Sequence, residues 1–156
     1  MTGKMQLHRR SHPDHHPGVQ PAVVGAVAIG GAAGAAARYG AELIWPTSTT
    51  AFPWTILLVN AIGCLLMGVL MVTLKLRFPE APRLISPLLG TGVLGGFTSF
   101  SRYTDNVRQL LDNHQPGYAV GYLILTVAAA LGAVTVGALA AHYAFRHSYD
   151  SEATTS

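Results

Sequence analysis

Charged residues are scarce in this sequence. Only 11% of its 156 residues are Asp, Glu, Lys or Arg, whereas half are hydrophobic and the mean hydropathy is +0.36. A soluble domain of this length needs polar residues on the outer face of nearly every element, so this shortage is typical of a membrane protein. The length allows about four membrane helices of roughly 20 residues each, and little else.

Other absences narrow the function. Cys64 is the only cysteine, which excludes an intrachain disulfide. No basic face is present, so nucleic acid is not an expected partner. The apolar runs contain no nucleophile and base pair and no metal-ligand cluster, so an enzyme is not expected. They also lack a carboxylate at mid-membrane, which argues against proton-coupled transport.

The first twenty residues, MTGKMQLHRRSHPDHHPGVQ, are polar and contain four histidines. The apolar run that follows is too long for a secretory signal and ends in Arg38 rather than at a cleavage site. We therefore expect residues 1–20 to form a disordered cytoplasmic tail. The histidine spacing is irregular, so it is a weak signal for a metal site.

Four apolar spans follow this tail, and they predict an all-α membrane protein with four transmembrane helices. Their approximate bounds are 21–44, 53–74, 85–111 and 117–145. The connections between them are too short for a soluble domain. We therefore expect one four-helix domain over residues 21–146 and a short C-terminal tail over 147–156.

The distribution of Lys and Arg predicts the orientation in the cell membrane, because cytoplasmic loops carry an excess of both. With the N-terminus in the cytoplasm, the cytoplasmic side carries seven of these residues: Lys4, Arg9, Arg10, Lys75, Arg77, Arg83 and Arg146. The other side carries chiefly Arg102 and Arg108. Both termini are therefore predicted to be cytoplasmic.

Two polar residues in the first two spans are candidates for function. Asn60 lies near the middle of the second span, where an amide must find partners or cost several kcal/mol. It suits either a helix–helix hydrogen bond or a brief contact with an anion, because it offers N–H donors without a net charge. Arg38 ends the first span, where it can extend to the lipid headgroups or pair with Glu42, one turn further on.

The third span contains GVLGGFTSFSRY, residues 92–103, a poor sequence for a continuous helix. Gly95 and Gly96 favour a departure from helix, and the hydroxyls that follow can satisfy freed backbone groups. Freed carbonyls are hard oxygen ligands suited to an alkali cation. Phe100 and Tyr103, three residues apart, share a face; they either pack as ordinary aromatic residues or present positive ring edges to a small anion.

Three segments in this order resemble the Fluc fluoride channels, also called CrcB proteins. They are GGAAGAAARYG at 30–40, PWTILLVNAIGCLLMG at 53–68 and GTGVLGGFTSFSRY at 90–103. The resemblance implies an antiparallel, dual-topology dimer of four-helix subunits, with a third helix broken mid-membrane and two fluoride pores along the subunit interface. The implied activity is passive fluoride export, which lowers cytoplasmic fluoride.

The resemblance also implies roles for individual residues. Backbone carbonyls of Gly95 and Thr98, from both subunits, would hold a structural sodium ion at the dimer centre. The residues implied to line the fluoride pore are Arg38, Asn60, Ser99, Phe100, Tyr103, Tyr122 and Thr126.

Several positions depart from the family pattern. Tyr103 stands where a second phenylalanine is usual, which adds a hydroxyl that either donates to an anion or obstructs it. Ser99 and Arg102 replace more usual threonines, and Ala130 lacks the hydroxyl that would continue the polar track on the fourth helix. The chain is also clearly biased towards a cytoplasmic N-terminus, which favours a partner of opposite orientation over a homodimer.

Two alternatives to a self-sufficient channel remain from the sequence. The chain is either a non-conducting or half-active partner subunit of a heterodimeric fluoride channel, or a small multidrug exporter. The exporter needs a membrane-embedded glutamate in its first span, and Glu42 lies too close to the end of that span for this role.

Overall fold

The computed structural model describes residues 20–48 and 50–153 of the chain, and they form five helices. The predicted N-terminal tail, with its histidines, lies outside these residues apart from Gln20. The helices are α1, Pro21–Ile44; α2, Trp54–Leu76; α3, composed of Pro87–Leu94 and Gly95–Phe97; α4, Phe100–Asp112; and α5, Pro116–Ala153.

Three helices are long and apolar enough to cross a membrane: α1, α2 and α5 over Pro116–Arg146. The fourth crossing is bent, because α3 and α4 together occupy the predicted third span. The prediction of an all-helical, multi-pass membrane protein is therefore confirmed. The last helix extends to Ala153, beyond the point at which the sequence predicted the C-terminal tail to begin.

The bend lies later in the chain than its glycines predicted. Gly95 has helical dihedral angles, φ −65° and ψ −35°, and the helical turn continues to Phe97. The extended residues are Thr98, with ψ 152°, and Ser99, with φ −145° and ψ 110°. The expectation of a break at Gly95 and Gly96 is therefore wrong by about one turn of helix.

The first part of α3 is wound more widely than an α-helix. Over Pro87–Leu94 it has π-helical geometry, and the Gly95 N–H that follows reaches the carbonyl of Gly90, five residues earlier. This segment packs along α1. At Gly34 of α1, a β-carbon would collide with the carbonyl of Val93 and lie 2.7 Å from the Phe97 nitrogen. The two backbones therefore touch where only glycine fits, as is usual for helices associating in lipid.

The second closely packed pair is α2 with α5. Gly68 of α2 lies against the carbonyl of Val134, and Gly137 of α5 lies against that of Leu65. A small buried cluster then joins α2 and α5 to α4; it consists of Leu57, Tyr103, Leu110, Ala119 and Tyr122. The two pairs of helices thus hold the bend between α3 and α4 against the side of α2.

Candidate functional site

Asn60 holds the extended residue of the bend. The Ser99 N–H donates to Asn60 Oδ1 at 2.8 Å, and Asn60 Nδ2 donates to the Ser99 carbonyl at 3.4 Å. Both residues are buried. An amide nitrogen carries two hydrogens, so one N–H of Asn60 remains for a further acceptor. The amide predicted to need a partner therefore has one, and it can still donate to an ion.

The bend releases two carbonyls from the helical hydrogen-bond pattern. In a continuous α-helix, the N–H of Ser99 would donate to Gly95 and that of Arg102 to Thr98. Here the Ser99 N–H goes to Asn60, and the Arg102 N–H goes to the Ser99 hydroxyl at 3.2 Å, which caps α4. The two carbonyls thus freed belong to the residues for which the family resemblance implied cation binding.

A cavity of about 230 Å³ lies beside the bend. Six of its nine lining residues were predicted from the sequence to bind ions: Asn60, Thr98, Ser99, Phe100, Tyr103 and Thr126. The others are Cys64, Val127 and Ala130, and none of the nine carries a formal charge at neutral pH. The cavity is therefore bounded by an amide, hydroxyls and aromatic rings rather than by carboxylates.

The two aromatic residues at the cavity differ in their surroundings. Phe100 is 77% exposed, and its ring centroid lies 5.7 Å from that of Tyr103. Tyr103 is buried, and its hydroxyl donates to the Leu123 carbonyl at 3.1 Å. The Tyr103 proton is therefore already engaged in the fold, whereas the Phe100 ring lines the cavity and remains largely exposed.

Tyr122 lies next to this cavity, behind Tyr103. Its side chain is fully buried, and its ring centroid is 5.5 Å from that of Tyr103. Asn106 Nδ2 donates to the Tyr122 hydroxyl at 3.2 Å. Since the phenol oxygen accepts this bond, its own proton is free for another acceptor. One turn along α5, the Thr126 hydroxyl is also buried and lies close to that of Tyr122.

Asn106 is not among the site residues predicted from the sequence. A signal was available, because Asn106 lies three residues after Tyr103 and so shares its helix face. That face turns towards Tyr122 and away from lipid, which an amide in a membrane helix requires.

Arg38 lies apart from the cavity, at the end of α1. It forms the predicted ion pair with Glu42, at 3.0 Å, and Glu42 also pairs with Arg102 of α4. From the sequence, Arg102 is part of the orientation signal and a departure from the family pattern, and its pairing with Glu42 is not predicted. A smaller cavity of about 190 Å³ lies here, lined in part by Glu42, Arg102 and Asn106. Asn106 thus lies between this charged cavity and the buried Tyr122 hydroxyl.

Four helical crossings, one bent around a buried amide, define an all-helical membrane protein with an uncharged cavity beside that amide. Within that class, the chain belongs to the family of CrcB-like proteins. Residues 25–138 match this family, described as CrcB-like protein, Camphor Resistance (CrcB). The resemblance inferred from three motifs is thus confirmed over most of the chain.

Several curated relatives are named fluoride-specific ion channels. The chain is 49% identical to FluC 2 of Streptomyces avermitilis over 91 residues, which cover 58% of this chain and 57% of the relative. It is 50% identical to FluC 1 of Streptomyces coelicolor over 106 residues, 68% of each chain. It is also 43% identical to FluC 2 of Nocardia farcinica over 107 residues, 69% of this chain and 76% of the relative.

Proposed function

We propose that this chain is a subunit of a fluoride-selective channel, which lowers cytoplasmic fluoride by passive export across the cell membrane. The observation that carries the proposal is the uncharged, largely apolar cavity beside the bend, where the Asn60 amide retains a free donor. The names of its relatives support the same function.

The chemistry of the cavity suits a small anion. The donors that line it are the second N–H of Asn60 and the Thr126 hydroxyl, and the buried Tyr122 hydroxyl lies behind them. The exposed edge of Phe100 adds a positive ring edge without a formal charge. Uncharged donors bind an ion weakly enough for it to leave, and no carboxylate lines this cavity to repel it.

The same geometry supports a dimer as the working unit. Phe100 lines the uncharged cavity and exposes 77% of its surface on the outside of a membrane-embedded chain. A second subunit on this face would close the cavity into a pore and bring its own copy of the ring. The expected arrangement is an antiparallel dimer with two pores.

A sodium ion at the centre of that dimer fits the residues present. The carbonyls of Gly95 and Thr98 are released from the helix by the bonds to Asn60 and Ser99. Carbonyl oxygens are hard ligands, and two from each subunit would give four. The ion would supply a positive charge between the two subunits and so strengthen their association.

Fluoride efflux from liposomes tests the proposal. The full chain is reconstituted with internal potassium fluoride, and external fluoride is followed with an ion-selective electrode. We expect efflux well above that from empty vesicles, with little chloride efflux. The efflux assay is then repeated with this chain co-expressed with an oppositely oriented paralogue, because its charge bias favours such a partner. Absence of fluoride efflux under both conditions would contradict the proposal.

A second candidate is a partner subunit that assembles a heterodimeric channel without conducting through its own pore. The observation that favours it is the Tyr103 hydroxyl, which is committed to Leu123 instead of to the cavity. Efflux that appears only with the paralogue would support this candidate, whereas efflux from the chain alone would exclude it.

A further inference from the structure

A third cavity lies at the opposite side of the membrane domain from Glu42. It has a volume of about 560 Å³ and lies between the end of α2 and the beginning of α3. Its polar lining residues are Lys75, Arg83 and Ser86, and its apolar ones include Met71, Leu74 and Phe78. Nothing in the proposed fluoride route uses these residues.

The charge of this cavity is unbalanced. Lys75 and Arg83 line it, and neither takes part in an ion pair with any described residue. Glu80 is the only acidic residue of the connecting segment 77–84, and it does not line the cavity. By contrast, Arg38 and Arg102 at the other end each form an ion pair with Glu42. The cavity is therefore complementary to an anion.

The position of this cavity indicates that its ligand also has an apolar part. Lys75 lies in the last turn of α2, and Ser86 directly precedes Pro87–Leu94 of α3, so both lie where the chain enters the membrane. Met71 and Phe78 line the same cavity and remain 48% and 55% exposed. A ligand that fills this site therefore needs an anionic head and an apolar tail side by side.

We propose that this cavity binds an anionic phospholipid of the cytoplasmic leaflet. Lys75 and Arg83 donate charge-assisted hydrogen bonds to the phosphate, and the Ser86 hydroxyl is placed to add a neutral one. The first part of the acyl chain lies against Met71 and Phe78. The lipid links α2 to α3 at the end opposite the Arg102–Glu42 ion pair, and it favours the orientation with this loop in the cytoplasm.

The test uses the full chain in a mild detergent and does not depend on fluoride transport. Thermal unfolding is followed while phosphatidylglycerol or phosphatidylcholine is added. We expect phosphatidylglycerol to raise the unfolding midpoint and phosphatidylcholine to leave it nearly unchanged. The double variant Lys75→Gln, Arg83→Gln should lose this rise. Native mass spectrometry should show bound phosphatidylglycerol on the wild type and less on the variant, even if the variant is less stable.

Arg77→Gln is the matched control, because Arg77 is a cation of the same loop that does not line the cavity. It should retain the response to phosphatidylglycerol. An equal loss in Arg77→Gln would overturn the proposal and indicate general surface charge instead. Inorganic phosphate at the same concentration separates a headgroup site from a lipid site. An equal rise with phosphate alone would also overturn the proposal, because the apolar half would then contribute nothing.

Discussion

At the scale of single residues, Asn60 contributes both to structure and to the proposed transport. Its side chain replaces the helical acceptor of the Ser99 N–H, and it adds a second donor to the Ser99 carbonyl, which also accepts from the Tyr103 N–H. The sequence predicted that a mid-membrane amide needs a partner. It did not reveal which residue, because Ser99 lies 39 residues away and no local pattern encodes that contact.

Asn60→Leu should weaken the fold and reduce transport together. It leaves the Ser99 N–H buried without an acceptor, which costs roughly 1–3 kcal/mol, and it removes a donor from the fluoride cavity. Chemical unfolding in detergent and liposome efflux measure the two effects. Thr135→Val is the matched control, because it removes an exposed hydroxyl that bonds only within α5. Wild-type efflux from Asn60→Leu would contradict the assigned role.

Asn106 should influence fluoride efflux only through its hydrogen bond to the Tyr122 hydroxyl. Because Asn106 donates to that oxygen, it leaves the phenol proton available to an anion. We expect Asn106→Leu and Tyr122→Phe each to reduce fluoride efflux about tenfold, which is roughly the loss of one hydrogen bond to a charged group. The double variant should resemble either single variant.

Gln109→Leu is the control for this comparison of the Asn106 and Tyr122 single and double variants. Gln109 lines the same small cavity as Asn106 but donates to Asp105 rather than to Tyr122. Efflux from Gln109→Leu should remain near the wild-type value. Additive losses in the Asn106 and Tyr122 double variant would show that Asn106 acts on the ion by another route.

At the scale of helices, close backbone contact sets the packing of α1 on α3. Gly34→Ala should destabilise the chain, because the added methyl meets the Val93 carbonyl and the Phe97 nitrogen, and backbone cannot move aside cheaply. Overpacking of this kind typically costs about 1–3 kcal/mol. Gly25→Ala on the same helix is the control, since a β-carbon there meets nothing within 4 Å. Equal unfolding free energies for the two variants would contradict this account.

The position of the bend shows where sequence reasoning reached its limit. Glycine permits a departure from helix but does not require one, and Gly95 remains helical. The backbone leaves the helix at Thr98 and Ser99 because Asn60 and the Ser99 hydroxyl offer better-placed partners to two N–H groups. The sequence therefore predicted that this span is broken, whereas the exact residues depend on a contact between two helices.

At the scale of the whole molecule, sodium should control association of two subunits. Replacing sodium by N-methyl-D-glucamine should lower the dimer fraction in detergent. This organic cation is too large for a site built from the Gly95 and Thr98 carbonyls. Size-exclusion chromatography with light scattering measures the change. Thr98→Val keeps the carbonyl but removes the hydroxyl, which bonds to Leu94, so its sodium dependence should persist. A dimer fraction indifferent to sodium would remove the support for this site.

The sequence predicted the family, the number of crossings and six of the residues at one cavity, because these depend on composition and short motifs. The sequence did not predict which of the remaining candidate residues have side chains engaged elsewhere in the fold. Arg38 pairs with Glu42 away from the cavity, and the Tyr103 hydroxyl bonds to Leu123. The Arg38–Glu42 pair lies within α1 and is one of the two options that the sequence offered, whereas the contact of Tyr103 with Leu123 depends on α4 lying against α5 in the folded bundle.

The reciprocal bonds between Asn60 and Ser99 also set a requirement on biosynthesis. Asn60 leaves the ribosome before the third span exists, so α2 enters the bilayer while its amide still lacks Ser99. An unpaired amide in the bilayer is unfavourable, and the apolar residues of α2 must offset this penalty. Among the described residues, α2 is the most apolar of the three long spans. When the third span is present, Ser99 forms both hydrogen bonds with the Asn60 amide. The bonds that shape the bend thus form only after both segments have been synthesised.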